Sequence, residues 1–129
     1  MPIRFYVEGR DGAVEGPRLP EPLFIYLLDL QPCIRSTVSW LGELDYYDDS
    51  RFDAQSGAAR ALASAVRNLE RELLGADWSR FPPMPEVGDE QLANSEPLTK
   101  EWVMGFLSAL AESAELADKT DATLVGYGD

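Results

Sequence analysis

Ala58, Leu62, Val66, Leu69 and Leu73 recur four, four, three and four positions apart, which places all five on one face of an α-helix. That spacing predicts a helix over about 53–74 and commits the chain to an amphipathic helix laid on a core. Asp53 is its candidate N-cap, and Gly75 stands where a left-handed C′ residue is wanted. Arg60, Arg67 and Arg71 lie off the apolar face, and the last two suit the C-terminal half of the helix dipole. A second helix is expected over 98–117, with Trp102, Val103, Phe106, Leu107, Leu110 and Ala114 as its stripe. Gly105 inside that stripe costs about 1 kcal/mol relative to Ala, so a close backbone contact is expected there.

Ile3, Phe5 and Val7 alternate with Arg4, Tyr6 and Glu8, the period of a half-buried strand. Residues 9–12 are turn-prone. Residues 13–22 are rich in Gly and Pro and read as loop, with 13–15 a candidate short strand. Residues 23–30 fit a helix or a buried strand; the leucine content, with few β-branched residues, favours helix. Pro20 and Pro22 suit its start, and Pro32 ends it. Residues 34–44 stay open between the two: Ile34, Val38 and Leu41 match helical spacing, whereas Thr37 and Val38 are strand formers. Residues 75–97 form a long connection with four prolines, punctuated by Trp78, Phe81 and Met84. Residues 123–127 are a strand candidate that could pair with the first strand.

The expected fold is one α+β domain spanning 1–129. A small antiparallel or mixed sheet, from the N- and C-terminal strands with 34–44 as a further candidate, packs against the two main helices.

With 45% apolar residues the chain can bury a core. It has no histidine, which removes Cys–His and Ser–His pairs and zinc sites built from Cys and His. No phosphate-cradling glycine motif is present. Pairs such as Asp45 and Asp48 leave carboxylate-only catalysis conceivable, but any acidic chain offers such pairs, and the expectation is a protein that is not an enzyme and carries no cofactor or metal. Cys33 cannot form an internal disulfide and reads as a small buried residue. The longest apolar run, 23–28, is too short to cross a bilayer, and the N-terminal residues lack the apolar stretch of a signal peptide. The cytoplasm is the expected compartment.

The formal net charge is −12. The excess falls in three stretches, 43–53, 86–96 and 112–129, each with a net of −4. Such a field repels nucleic acid and anionic lipid and attracts a basic protein surface. In GELDYYDDSRFDAQ, residues 42–55, the acids interleave with Tyr46, Tyr47 and Phe52. Tyrosine supplies rigid contact area and carboxylates pair with Arg and Lys, the mixture a hot spot for a cationic partner needs. Two readings compete with that one. Asp53 and Phe52 could serve only to start the helix. A metal loop is disfavoured by the lack of calcium-loop spacing and of its glycine. The candidate partner-binding residues are Glu43, Asp45, Tyr46, Tyr47, Asp48 and Asp49, with Asp89 and Glu90 from the second stretch and Trp78 from the long connection. Trp78, Phe81 and Met84 could equally fold back over the core.

Asp45, Tyr47, Asp49, Ser50, Phe52 and Gln55, with Leu124, Val125, Gly128 and Asp129 at the end, give the chain a pattern that resembles a family of small acidic bacterial proteins. In these, an acidic, aromatic segment precedes Gln and a Leu-rich helix, and a terminal strand ends in Gly-Asp. The two matching segments cover 20 of the 129 residues. Gly126 departs from the pattern by interrupting the terminal strand. The family resembles the immunity proteins of polymorphic toxin and contact-dependent growth inhibition systems. The resemblance implies an antitoxin that binds and neutralises a cognate toxin domain, and it implies no toxin chemistry; the acidic patches point to a basic domain, often a nuclease. The alternative reading is an acidic nucleic-acid mimic that inhibits or adapts a DNA- or RNA-binding protein.

Overall fold

The computed structural model describes residues 2–45, 48–84 and 99–128. Among the described residues four strands and three α-helices form an α+β fold. The strands are β1 (Ile3–Gly9), β2 (Gly12–Leu19), β3 (Asp49–Asp53) and β4 (Thr123–Tyr127), and the helices are α1 (Glu21–Leu30), α2 (Ala58–Leu74) and α3 (Lys100–Lys119). The sheet order is β2-β1-β4-β3, antiparallel throughout.

The alternation in β1 does what period two requires. Ile3, Phe5 and Val7 are buried, while Arg4, Tyr6 and Glu8 turn to the other face. A tight turn, with Gly12 at φ 124°, returns the chain into β2, which is longer than the expected 13–15 strand. It continues through Pro17 because β2 is an edge strand and the register slips there: Arg4 faces Arg18, but Tyr6 faces Glu15. An edge and a bulge are the places where a strand tolerates proline.

Helix α1 confirms the leucine-rich reading, with Leu23, Tyr26, Leu27 and Leu30 buried and Pro20 at its N-cap. A 3-10 turn at Gln31–Cys33 follows, and Cys33 is exposed rather than buried. Residues 34–44 give no strand. Their apolar residues Val38, Trp40, Leu41 and Leu44 are buried around a 3-10 turn at Ser39–Glu43, which needs no partner strand. The remaining place in the sheet goes to β3.

Two expectations for α2 are corrected. Asp53 is not its N-cap: it closes β3, where its Oδ1 accepts the Ser56 N–H at 2.6 Å, and Gly57, at φ 83°, precedes the helix. Gly75 has φ −95°, so no left-handed residue is needed there. α3 starts at Thr99, whose side chain accepts the Trp102 N–H. Gly105 is exposed, with open space where a Cβ would sit, so the close contact expected there is absent. α3 packs along α2 and touches all four strands. Its buried Val103, Phe106, Leu107, Leu110 and Ala114 complete the core with Phe5, Phe52 and Leu124.

A close approach lies instead at Gly126. Paired with Phe5 and Ser50 on the core face of β4, it would put a Cβ 3.1 Å from Ile3 Cγ2 and 3.1 Å from Phe5 Cε1. Gly126 therefore does not interrupt the strand; it lets two large side chains lie across it.

Candidate functional site

The acidic segment leads into the edge strand β3 and is fixed at both ends. Leu44 is buried on one side and Ser50 on the other, and Ser50 Oγ accepts the Asp45 N–H at 3.1 Å. The Asp48 carbonyl accepts the Gly128 N–H at 3.2 Å, and Asp48 Oδ1 accepts the Asp49 N–H at 2.8 Å. Strand alternation turns Ser50 and Phe52 inward and leaves Asp49 and Arg51 outside. The result is a held backbone on which Glu43, Asp45, Asp48 and Asp49 are all exposed. Arg51 sits 3.9 Å from Asp49, with side chains 60% and 41% exposed, a pairing that solvent screens to little.

Tyr46, Tyr47, Asp89 and Glu90 lie outside the described residues. Trp78 is placed elsewhere, and its indole is used within the fold. Its Nε1 donates to the Leu73 carbonyl at 2.9 Å, its ring meets Phe81 edge-on at 5.5 Å, and Lys100 Nζ stands 5.4 Å from its centroid. Trp78, Phe81 and Met84 are half-buried against the core, as the covering reading of this connection expects.

The acids of α3 differ in kind. Glu115 accepts from Arg67 of α2 at 2.6 Å, and Asp118 accepts from Arg60 at 3.2 Å. Arg67 also reaches Glu70 at 2.9 Å. Hydrogen bonds to Glu115 first, then to Glu70, strengthen the hold of Arg67 on its proton. Two of the acids in this third stretch are therefore paired with arginines across the α2–α3 surface. A further acid, Glu72, ties α2 to the approach to the site: it accepts from Arg35 N at 2.8 Å and from Ser36 N and Ser36 Oγ, both at 2.7 Å. Burial raises the Glu72 pKa, and these hydrogen bonds outweigh it and lower the value below the ordinary carboxylate range.

Residue-by-residue reading of the sequence missed the outer face of the sheet. Tyr6 and Tyr127 meet edge-on there at 5.7 Å, and the Tyr127 hydroxyl donates to Glu8. That hydrogen bond is the main cause of a raised Tyr127 pKa. The alternation in β1 already puts Tyr6 and Glu8 on this face, but only the register of β4 brings Tyr127 to them. Among the described residues no group of three or more Asp, Glu, Cys or His is placed to hold a metal ion, and no helix is long and apolar enough to cross a membrane. Comparison with protein-family models, with curated proteins and with solved structures finds no match.

Proposed function

We propose that this chain is an immunity protein: a cytoplasmic, non-catalytic binder that neutralises a basic toxin domain by covering it. Glu43, Asp45, Asp48 and Asp49 make the contact, together with Tyr46 and Tyr47 of the same segment. The supporting observation is the contrast in how carboxylates are used. Glu115 and Asp118 of α3 are engaged by arginines of α2, whereas the carboxylates leading into β3 stand exposed on an anchored backbone, with Arg51 beside Asp49. Exposed carboxylates held in place steer a cationic surface and pair with it at low ordering cost. The sequence resemblance supplies the kind of partner.

Co-expression with the product of the adjacent gene tests the proposal. Restored growth and an equimolar complex on purification are the expected results. Persistent toxicity overturns the immunity role. Binding to many unrelated DNA-binding proteins, with release by added DNA, overturns it in favour of a nucleic-acid mimic.

A further inference from the structure

The register of the sheet arranges its outer face in rows that cross all four strands. From β2 to β3, one row reads Arg18, Arg4, Tyr127, Asp49, and the next reads Glu15, Tyr6, Val125, Arg51. The signs reverse between rows. The first has its cation at the β2 edge and its carboxylate at the β3 edge; the second has them exchanged. Arg4 and Arg18 stand directly opposite one another, and neither is in an ion pair with any described residue. Like charges facing across a strand pair are unfavourable, and this pair persists in a chain of net charge −12.

We propose that this face binds the same face of a second copy of the chain, about a twofold axis that lies in the interface, parallel to the strands, between β1 and β4. That rotation lays the β2 edge of one copy over the β3 edge of the other and sets each row against its own reverse. Arg18 then meets Asp49 of the second copy, and Glu15 meets its Arg51, each contact made twice by symmetry. Arg4 comes opposite Tyr127 of the second copy, whose ring leans along the face toward Tyr6 and Glu8 of its own chain. The two Tyr6 rings lie on either side of the axis. Val125, fully buried, contributes no surface. A twofold running across the strands would also match the first row to the second, but it would leave the third row, Ala13, Glu8, Thr123 and Asp53, unopposed. The net charge of each copy works against association and weakens the dimer, whose population rises with protein concentration by mass action. The toxin-binding reading shares Asp49 with this one but does not depend on it: Glu43, Asp45 and Asp48 precede the strand, and the dimer is read by sedimentation without the partner.

Sedimentation of the full chain over a concentration series at physiological ionic strength reads the dimer directly. Arg18→Asp and Asp49→Arg should each weaken self-association at least about tenfold by placing like charges in contact. Mixing the two variants should restore a dimer. The carboxylate introduced at position 18 of one chain then faces the guanidinium introduced at position 49 of the other, while the unaltered Arg18 and Asp49 face each other at the symmetry-related contact. Arg80→Asp, which makes the same change in net charge away from this face, should leave self-association unchanged. A chain that stays monomeric at every concentration overturns the proposal, as does a dimer indifferent to Arg18→Asp. Two variants that fail to rescue each other on mixing overturn the strand-parallel axis, since the crosswise twofold predicts that failure.

Discussion

The approach to β3 and the C-terminal half of α3 are both acidic, yet they are built to opposite ends. In α3, Glu115 and Asp118 face arginines of the neighbouring helix, so Arg67 bridges Glu115 and Glu70 of its own helix and Arg60 meets Asp118. Leading into β3, the carboxylates stand at a sheet edge, and no further strand lies beyond it among the described residues. Acid content therefore says little about whether a surface is available to a partner; what decides it is the element lying alongside.

That contrast can be broken most strongly at Arg67. Arg67→Glu removes two ion pairs and sets a carboxylate against Glu70 and Glu115, for an expected loss of about 2 kcal/mol in denaturant unfolding. Binding to the basic partner should be untouched. If stability holds, the Arg67 pairs do not help to hold α3 against α2. Next in size, Asp45, Asp48 and Asp49 replaced together by Asn should slow association with the partner by about tenfold and flatten its salt dependence, with no fall in the thermal midpoint. Unchanged stopped-flow kinetics would remove this segment from the binding surface.

Glu72 sharpens the comparison from a third side, as an acid used purely as an acceptor. Glu72→Ala should cost about 1 kcal/mol. Because the folded pKa of Glu72 lies below its ordinary value of 4.5, its contribution is complete above that value and is lost as pH falls through the lowered folded one. Urea titrations of wild type and Glu72→Ala should therefore diverge at neutral pH and converge in acid. The smallest effect belongs to Arg51→Glu, within about 0.5 kcal/mol, since its pairing with Asp49 is exposed. A larger loss would mean that the β3 edge is stabilised by charge after all.

The helical stripe of α2 and the alternation of β1 were readable because each records one element against a broad apolar layer, which demands only a period. The failures are of another sort. Residues 34–44 fit helix and strand alike by pattern, but their apolar side chains reach the core from a 3-10 turn, and β3 takes the place at the sheet edge. Asp53 looked like a cap because it stands just before the stripe; the chain instead needs it to end β3, and a positive φ at Gly57 turns the backbone into α2. At Gly105 and Gly126 the expectation was inverted: the glycine inside the helix touches nothing, and the one in the strand makes room for Ile3 and Phe5. Of the candidate site, the exposure of Glu43, Asp45, Asp48 and Asp49 agrees with the sequence reading, while Trp78 is engaged at the end of α2.

By itself the sequence determined the amphipathic helices, the first and last strands, and a chemistry without histidine, all consequences of residue type and spacing along one chain. Tertiary structure alone decided which carboxylates are met by arginine, which strand forms the sheet edge, and how the rows of the outer face line up. Those are relations between segments remote in the chain, and electrostatic pairing follows the few ångströms that separate two side chains in space, a distance that packing and strand register create.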